Sequence, residues 1–233
     1  MIFEQKNVTF SMAEQAYNVL RKAILTGQLS PDSIWSDREL CERFKLSRTP
    51  VRESLLRLQS EELVRIEPRK GTRVMPLLVD DVREIHQVAK ALELEAALLL
   101  ADRDPMPDLS FMCRAIDEME RALSENDRDA WAEADTRFHV LMVGLCGNRR
   151  LARNYEAHRG LTDRARYFVL HVRELPVKST EEHRLMYKAL LNKDRQRLEG
   201  LYRLHWDRTT EEIVTLIEQY SRNGPVPNFN VQP

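Results

Sequence analysis

Glycine is scarce in this chain, with 7 among 233 residues. Alternation of apolar and polar residues at period two is also sparse. Together these shortages argue against a β-rich fold and toward a mainly α one. No apolar run reaches the roughly 18 residues that a membrane-spanning helix needs, so no membrane partner is expected. Cysteine is rare and odd in number, with Cys41, Cys113 and Cys146 far apart. That excludes a disulfide framework and reads as reduced thiols. The opening Met1-Ile-Phe-Glu-Gln-Lys6 has neither the basic region nor the apolar stretch of a secretory signal. A cytoplasmic protein is expected.

Net charge is nearly absent too, at −1. The charges are nevertheless unevenly placed. Residues 1–76 hold 13 Lys/Arg against 10 Asp/Glu, and residues 77–233 hold 23 against 27. The stretch 43–73 alone carries 9 basic and 4 acidic residues. A locally basic segment suits a phosphate-bearing partner, although charge alone fits a solvated face equally well. With 42% hydrophobic and 31% charged residues, the composition is that of an ordinary globular chain, and the length suits two modest domains.

The pattern along the chain supports that division. A first helix over 11–27 is expected, with Ser11 as cap, Tyr17, Leu20, Ile24 and Leu25 as its stripe, and Gly27 at its end. After a turn at Pro31-Asp32-Ser33, a short helix runs to Phe44, and Lys45-Leu46 turns the chain. A third helix ends near Glu61, capped by Ser47 or Thr49, with Pro50 tolerated in its first turn. Two extended pieces, 63–67 and 72–75, flank a basic turn at Pro68-Arg69-Lys70-Gly71. This order describes a winged helix-turn-helix with a β-hairpin wing. Pro76 marks the boundary, giving a first domain over 1–76.

Six helices of an antiparallel bundle are expected next, over 79–103, 107–125, 127–146, 149–172, 180–192 and 194–221. The second domain therefore covers 77–222. Ser179-Thr-Glu-Glu182 has capping-box spacing. The tail 223–233 contains proline and polar residues and is expected to be disordered.

Within the third helix, Val51, Leu55 and Leu58 share one face, while Arg48 and Arg52 share another close to the N-terminus. That end enters the major groove in helix-turn-helix proteins. Arginine there can pair with guanine or hold a phosphate. Arg38 can reach the groove edge, and Lys70 and Gly71 form the wing tip.

The second domain carries a different constellation. Asp135 and His139 stand four residues apart, on a stripe with Trp131 and Met142. His183 and His205 lie on apolar stripes of their own. Any one such histidine is most often a hydrogen-bonded core residue. One aspartate and three histidines converging inside a bundle can instead hold a divalent cation, with zinc the first expectation and nickel or manganese also suitable. His86, His158 and His171 have no such company and read as structural or surface residues.

The first domain resembles the DNA-binding domain of the GntR family. The resemblance rests on Ala16-Tyr17, Ile24-Leu-Thr-Gly27-Gln-Leu29, Glu39-Leu40, Ser47-Arg-Thr-Pro-Val-Arg-Glu53, Leu63-Val64 and Gly71-Thr-Arg-Val74. It implies DNA contacts at Arg38, Arg48, Thr49, Arg52 and Gly71, and we add Ser47 and Lys70 to the DNA-binding set. Asp32 and Glu62 stand where many members have glycine. Residues 79–220 resemble the FCD effector domain of FadR-like members, on Leu92-Glu93, Asp135-x3-His139, Gly147-Asn148, Glu182-His183-Arg184 and His205.

That resemblance implies a metal on Asp135, His139, His183 and His205, and a small organic acid as effector. It also implies a homodimer on a pseudo-palindromic double-stranded operator, acting in the manner of a repressor. Many members have an arginine shortly before the Leu-Glu pair, where this chain has Ala89-Lys90. Lys90, Arg164 and Arg166 are therefore the candidate effector contacts. Two other readings stay open: a purely structural metal, and a metal-dependent hydrolase. The hydrolase lacks a nucleophile motif and an evident general base.

Overall fold

The computed structural model describes residues 11–170 and 172–223. Residues 224–233 of the expected tail, and His171, lie outside the described residues. The chain divides into two compact units at Pro76. No helix among the described residues is long and apolar enough to cross a membrane.

The first unit holds α1 (Met12–Leu25), β1 (Ile34–Trp35), α2 (Asp37–Phe44), α3 (Arg48–Ser60), β2 (Val64–Glu67) and β3 (Gly71–Val74). Helix α1 opens where Ser11 accepts a hydrogen bond from the Glu14 amide, and α2 opens with a reciprocal capping box between Ser36 and Glu39. The wing is larger than expected. Its sheet has three antiparallel strands in the order β1-β3-β2, with Trp35 opposite Thr72 and Glu67 opposite Gly71. A two-residue strand is too short to show alternation, so β1 left no periodic signal. Leu20, Leu40, Val51, Leu58 and Leu63 are buried within the unit.

Helix α3 ends in a left-handed residue, Glu62, at φ 59°. The Leu63 amide returns to the Leu58 carbonyl at 3.0 Å, and both leucine side chains are fully buried. This is the closure in which glycine is favoured, because only glycine adopts that φ without a Cβ penalty. Glu62→Gly is therefore expected to stabilise this unit by about 1 kcal/mol. A thermal-unfolding comparison of the full chain reads this as a raised midpoint, and an unchanged or lowered midpoint would contradict it.

The second unit is a bundle of α4 (Val79–Ala101), α5 (Ser110–Ser124), α6 (Arg128–Leu145), α7 (Arg149–Leu170), α8 (Val177–Leu191) and α9 (Arg195–Asn223). Helix α4 packs against α6, α7 and α9, and α8 packs against α9. Trp131, Phe138, Met142, Met112, Ile116 and Tyr202 belong to its main core. Two helix starts differ from expectation. Helix α5 begins at Ser110, where the Asp108 carboxylate accepts the Ser110 amide at 2.8 Å. Helix α8 begins at Val177, so Ser179 is inside it and no capping box forms. Ser179 and Glu182 both turn into the bundle.

Candidate functional site

Two groups of side chains stand out, one in each unit. In the first, the buried face of α3 is Val51, Ser54, Leu55 and Leu58, which leaves Arg48, Thr49 and Arg52 in solvent. Ser47 occupies the N-cap position with extended backbone, and its hydroxyl makes no capping hydrogen bond. Arg52 donates to Asp37 at 2.7 Å, and Arg38 stands 3.9 Å from Glu42. Both pairs are in water and are screened, so a phosphate or base edge competes for these guanidinium groups at little cost. Lys70 is exposed at the wing, 3.8 Å from Glu67. Arg65 and Arg69, also exposed, extend the basic surface beyond the residues named as DNA contacts.

Gly71 has a reason for being glycine that the sequence did not reveal. Its φ is 119°, and a Cβ there would lie 2.6 Å from the Trp35 carbonyl oxygen. Close packing against β1 is what the missing side chain accommodates.

In the second unit, α6 carries Asp135 and His139, α8 carries His183, and α9 carries His205. All four are buried. The three histidines bring one nitrogen each within 4.8 Å of the others. One Asp135 oxygen stands 3.6 Å from His183 Nδ1 and 3.7 Å from His139 Nε2. The other accepts from Arg166, which lines the same cavity.

Two carboxylates behind the histidines orient them. His139 Nδ1 is 2.7 Å from Glu93 Oε2, and His205 Nδ1 is 2.7 Å from Glu182 Oε2. A carboxylate can only accept, so each Nδ1 bears the proton and each Nε2 is left toward the cluster. Trp206 also donates to Glu93 at 3.2 Å, and Arg208 grips both oxygens of Glu182 at 2.9 and 2.6 Å. His183 differs, because neither of its ring nitrogens has a hydrogen-bond partner among the described residues.

The electrostatics follow from this packing. Burial opposes the charged form of His139, yet Glu93 and Asp135 outweigh it and carry its pKa up to about 9. Burial, reinforced by His205, pushes His183 well below its ordinary value, so it is a neutral imidazole. Burial alone would raise Glu182, but His205 and Arg208 hold it down at about 2. Without a metal His139 keeps a second proton on Nε2; a divalent cation facing these ionised carboxylates would displace it and take the nitrogen as a ligand.

The residues expected at an effector site separate clearly. Arg166 lines the cavity, whereas Lys90 and Arg164 do not. Lys90 pairs with Asp207 near the surface. Arg164 is buried elsewhere, and its burial lowers its pKa to about 10. Conversely, His86, read from the sequence as structural or surface, lines this cavity with Thr162, Arg173, Ser179 and Thr209. The signal for His86 was its spacing: it stands seven residues before Glu93, on the same face of α4.

Known proteins resemble the chain over both units. The description "Bacterial regulatory proteins, gntR family" matches residues 12–74, and the FCD domain matches residues 84–208. A helix-turn-helix transcriptional regulator from the TAR-I ttuE-ttuC' intergenic region of Agrobacterium vitis is 40% identical over 131 residues, spanning 55% of this chain and 77% of that protein. The transcriptional repressor RspR of Escherichia coli K12 is 24% identical, over 93% of this chain and 95% of its own length. The structure of E. coli McbR/YncC superposes with a TM-score of 0.77 at 21% identity, covering 91% of this chain and all of that one. That last likeness is one of fold.

Proposed function

The chain belongs to the GntR family of bacterial regulators, a DNA-binding transcription factor with an FCD domain and not an enzyme, and from that premise we propose that a metal-held small carboxylate in its bundle controls its grip on DNA. The single observation that carries the proposal is His183. A fully buried imidazole with two unpartnered nitrogens is costly, and a metal ligand bond removes that cost. His139, His205 and Asp135 would complete the set around it.

A bound divalent cation supplies Lewis-acid attraction for an effector carboxylate. The chain's own residues do the rest. Glu93 and Glu182 fix the tautomers of His139 and His205, and Arg208 fixes Glu182. Trp131, Phe138 and Trp206 surround the site with apolar rings and limit water. Zinc suits this ligand set best, with nickel and manganese as alternatives.

The cavity is about 20 Å³, room for about one water. An organic effector therefore enters only as a wall rearranges, and such a rearrangement is how the bundle would signal. The same small volume favours a second reading, a purely structural metal. Thermal shift with metal alone, then with a panel of organic acids, separates the two. Stabilisation by metal and further by an acid supports a sensor, and stabilisation by metal alone supports the structural reading.

In the first unit, Arg38, Ser47, Arg48, Thr49, Arg52 and Lys70 would meet the operator, with the N-terminus of α3 in the major groove. We take the active form to be a cytoplasmic homodimer on a pseudo-palindromic operator, because two-fold proteins match two-fold sites. Repression is the simplest mode, in keeping with the name of RspR. Glu93→Gln should weaken metal affinity by about 10- to 100-fold, since it removes the charge that orients His139. Competition with a chromophoric chelator reads this directly, and unchanged affinity would remove Glu93 from the site.

A further inference from the structure

The cavity wall also contains buried polar groups that no described residue hydrogen-bonds. Arg173 Nε, His86 Nε2 and Thr162 Oγ1 all lack a hydrogen-bond partner, and all three residues line the cavity. They come from three places: His86 from α4, Thr162 from α7, and Arg173 from the segment between α7 and α8.

Their chemistry is of one kind. Arg173 is a guanidinium, able only to donate. It sits over the Trp131 ring at 5.5 Å, and its Nη1 stands 3.5 Å from the Glu212 carboxylate. His86 Nδ1 is 2.9 Å from the Thr210 hydroxyl. With that hydroxyl donating to Nδ1, Nε2 bears the proton and becomes a donor. Thr162 adds a hydroxyl. Three unpartnered groups on one cavity, each able to donate and one of them cationic, leave room for acceptor oxygens, and each unmet donor carries a desolvation cost.

Resting on the metal-held carboxylate proposed above, we propose that His86, Thr162 and Arg173 form a second anion subsite, and that the effector is a compact dicarboxylate. One carboxylate faces the histidine cluster. The other, once the wall has moved to admit it, accepts from Arg173, His86 and Thr162. Arg166 lines the same cavity but is committed to Asp135. The subsite takes over the role expected of Lys90 and Arg164, neither of which reaches the cavity.

The test uses succinate and butyrate, which share a carbon count and differ in one carboxylate. Calorimetry is run on the full chain, both metal-loaded and chelator-treated. The wild type should prefer succinate over butyrate by at least about tenfold when loaded, and should keep a preference, at weaker affinity, when metal-free. Arg173→Met preserves a long side chain over Trp131, and His86→Phe preserves a ring against Trp206. Each variant should collapse the preference to within about threefold while leaving metal content and butyrate affinity as they were. Equal affinity for the two acids, binding of neither acid, or a preference that survives both substitutions would overturn the subsite. Absence of metal uptake would overturn the metal-held carboxylate instead, and the metal-free series still reads the subsite in that case.

Discussion

The double variant Arg48→Ala, Arg52→Ala should lose specific operator binding by at least about a hundredfold while its helical circular dichroism is unchanged. Both arginines lie in solvent on α3, opposite the buried Val51, Leu55 and Leu58, so their removal leaves the core intact. Each bidentate arginine contact to a guanine is worth roughly 10- to 100-fold in discrimination. Where an arginine meets phosphate instead, its loss weakens binding to all sequences and lowers the salt dependence by about one charge per contact. Measuring affinity against salt for operator and random duplexes therefore distinguishes base reading from phosphate holding. Operator affinity unchanged in the double variant would move the reading surface away from α3.

His183→Leu should have opposite effects on the metal-loaded and metal-free protein. In the wild type, a metal bound a thousandfold above its dissociation constant stabilises the fold by about 4 kcal/mol, which raises the bundle's melting point by roughly 10 °C. The variant should lose that response and show no drop when a chelator is added. Without metal, the variant should melt at or above the wild type. Leucine fills much of the same space between Phe138 and the other rings, and it removes two buried nitrogens that no described residue hydrogen-bonds. Replacing an unsatisfied polar group by an apolar one of similar shape is neutral or stabilising. A histidine held for core packing alone would give the reverse, a less stable variant under every condition.

Much of this site was legible because its signals are local. Asp135 and His139 share a face by the four-residue spacing of one helix, and the arginines of α3 share another by the same spacing. What was not legible depended on distant chain. Glu93 meets His139 across 46 positions and Glu182 meets His205 across 23, so no window of sequence places them together. Ser179 and Glu182 have capping spacing, yet the helix starts earlier and both serve the interior, Ser179 accepting from Arg208. Arg164 and Arg166 show the limit well. Side chains two positions apart on a helix point about 200° apart, so only one of them can face the cavity, and the spacing does not say which. The structure places Arg166 there. In the wing, β1 was missed for its brevity, and Gly71 acquired its reason only when Trp35 was seen beside it.

The most direct measurement is the metal content of tag-free protein, by elemental analysis and native mass spectrometry, in the wild type and in His183→Leu. The expected result is one divalent ion per wild-type chain, removed by chelator and restored by added zinc, nickel or manganese, with none in the variant. A wild-type chain that holds no stoichiometric metal after those ions are added back would contradict a metal-held effector in the bundle.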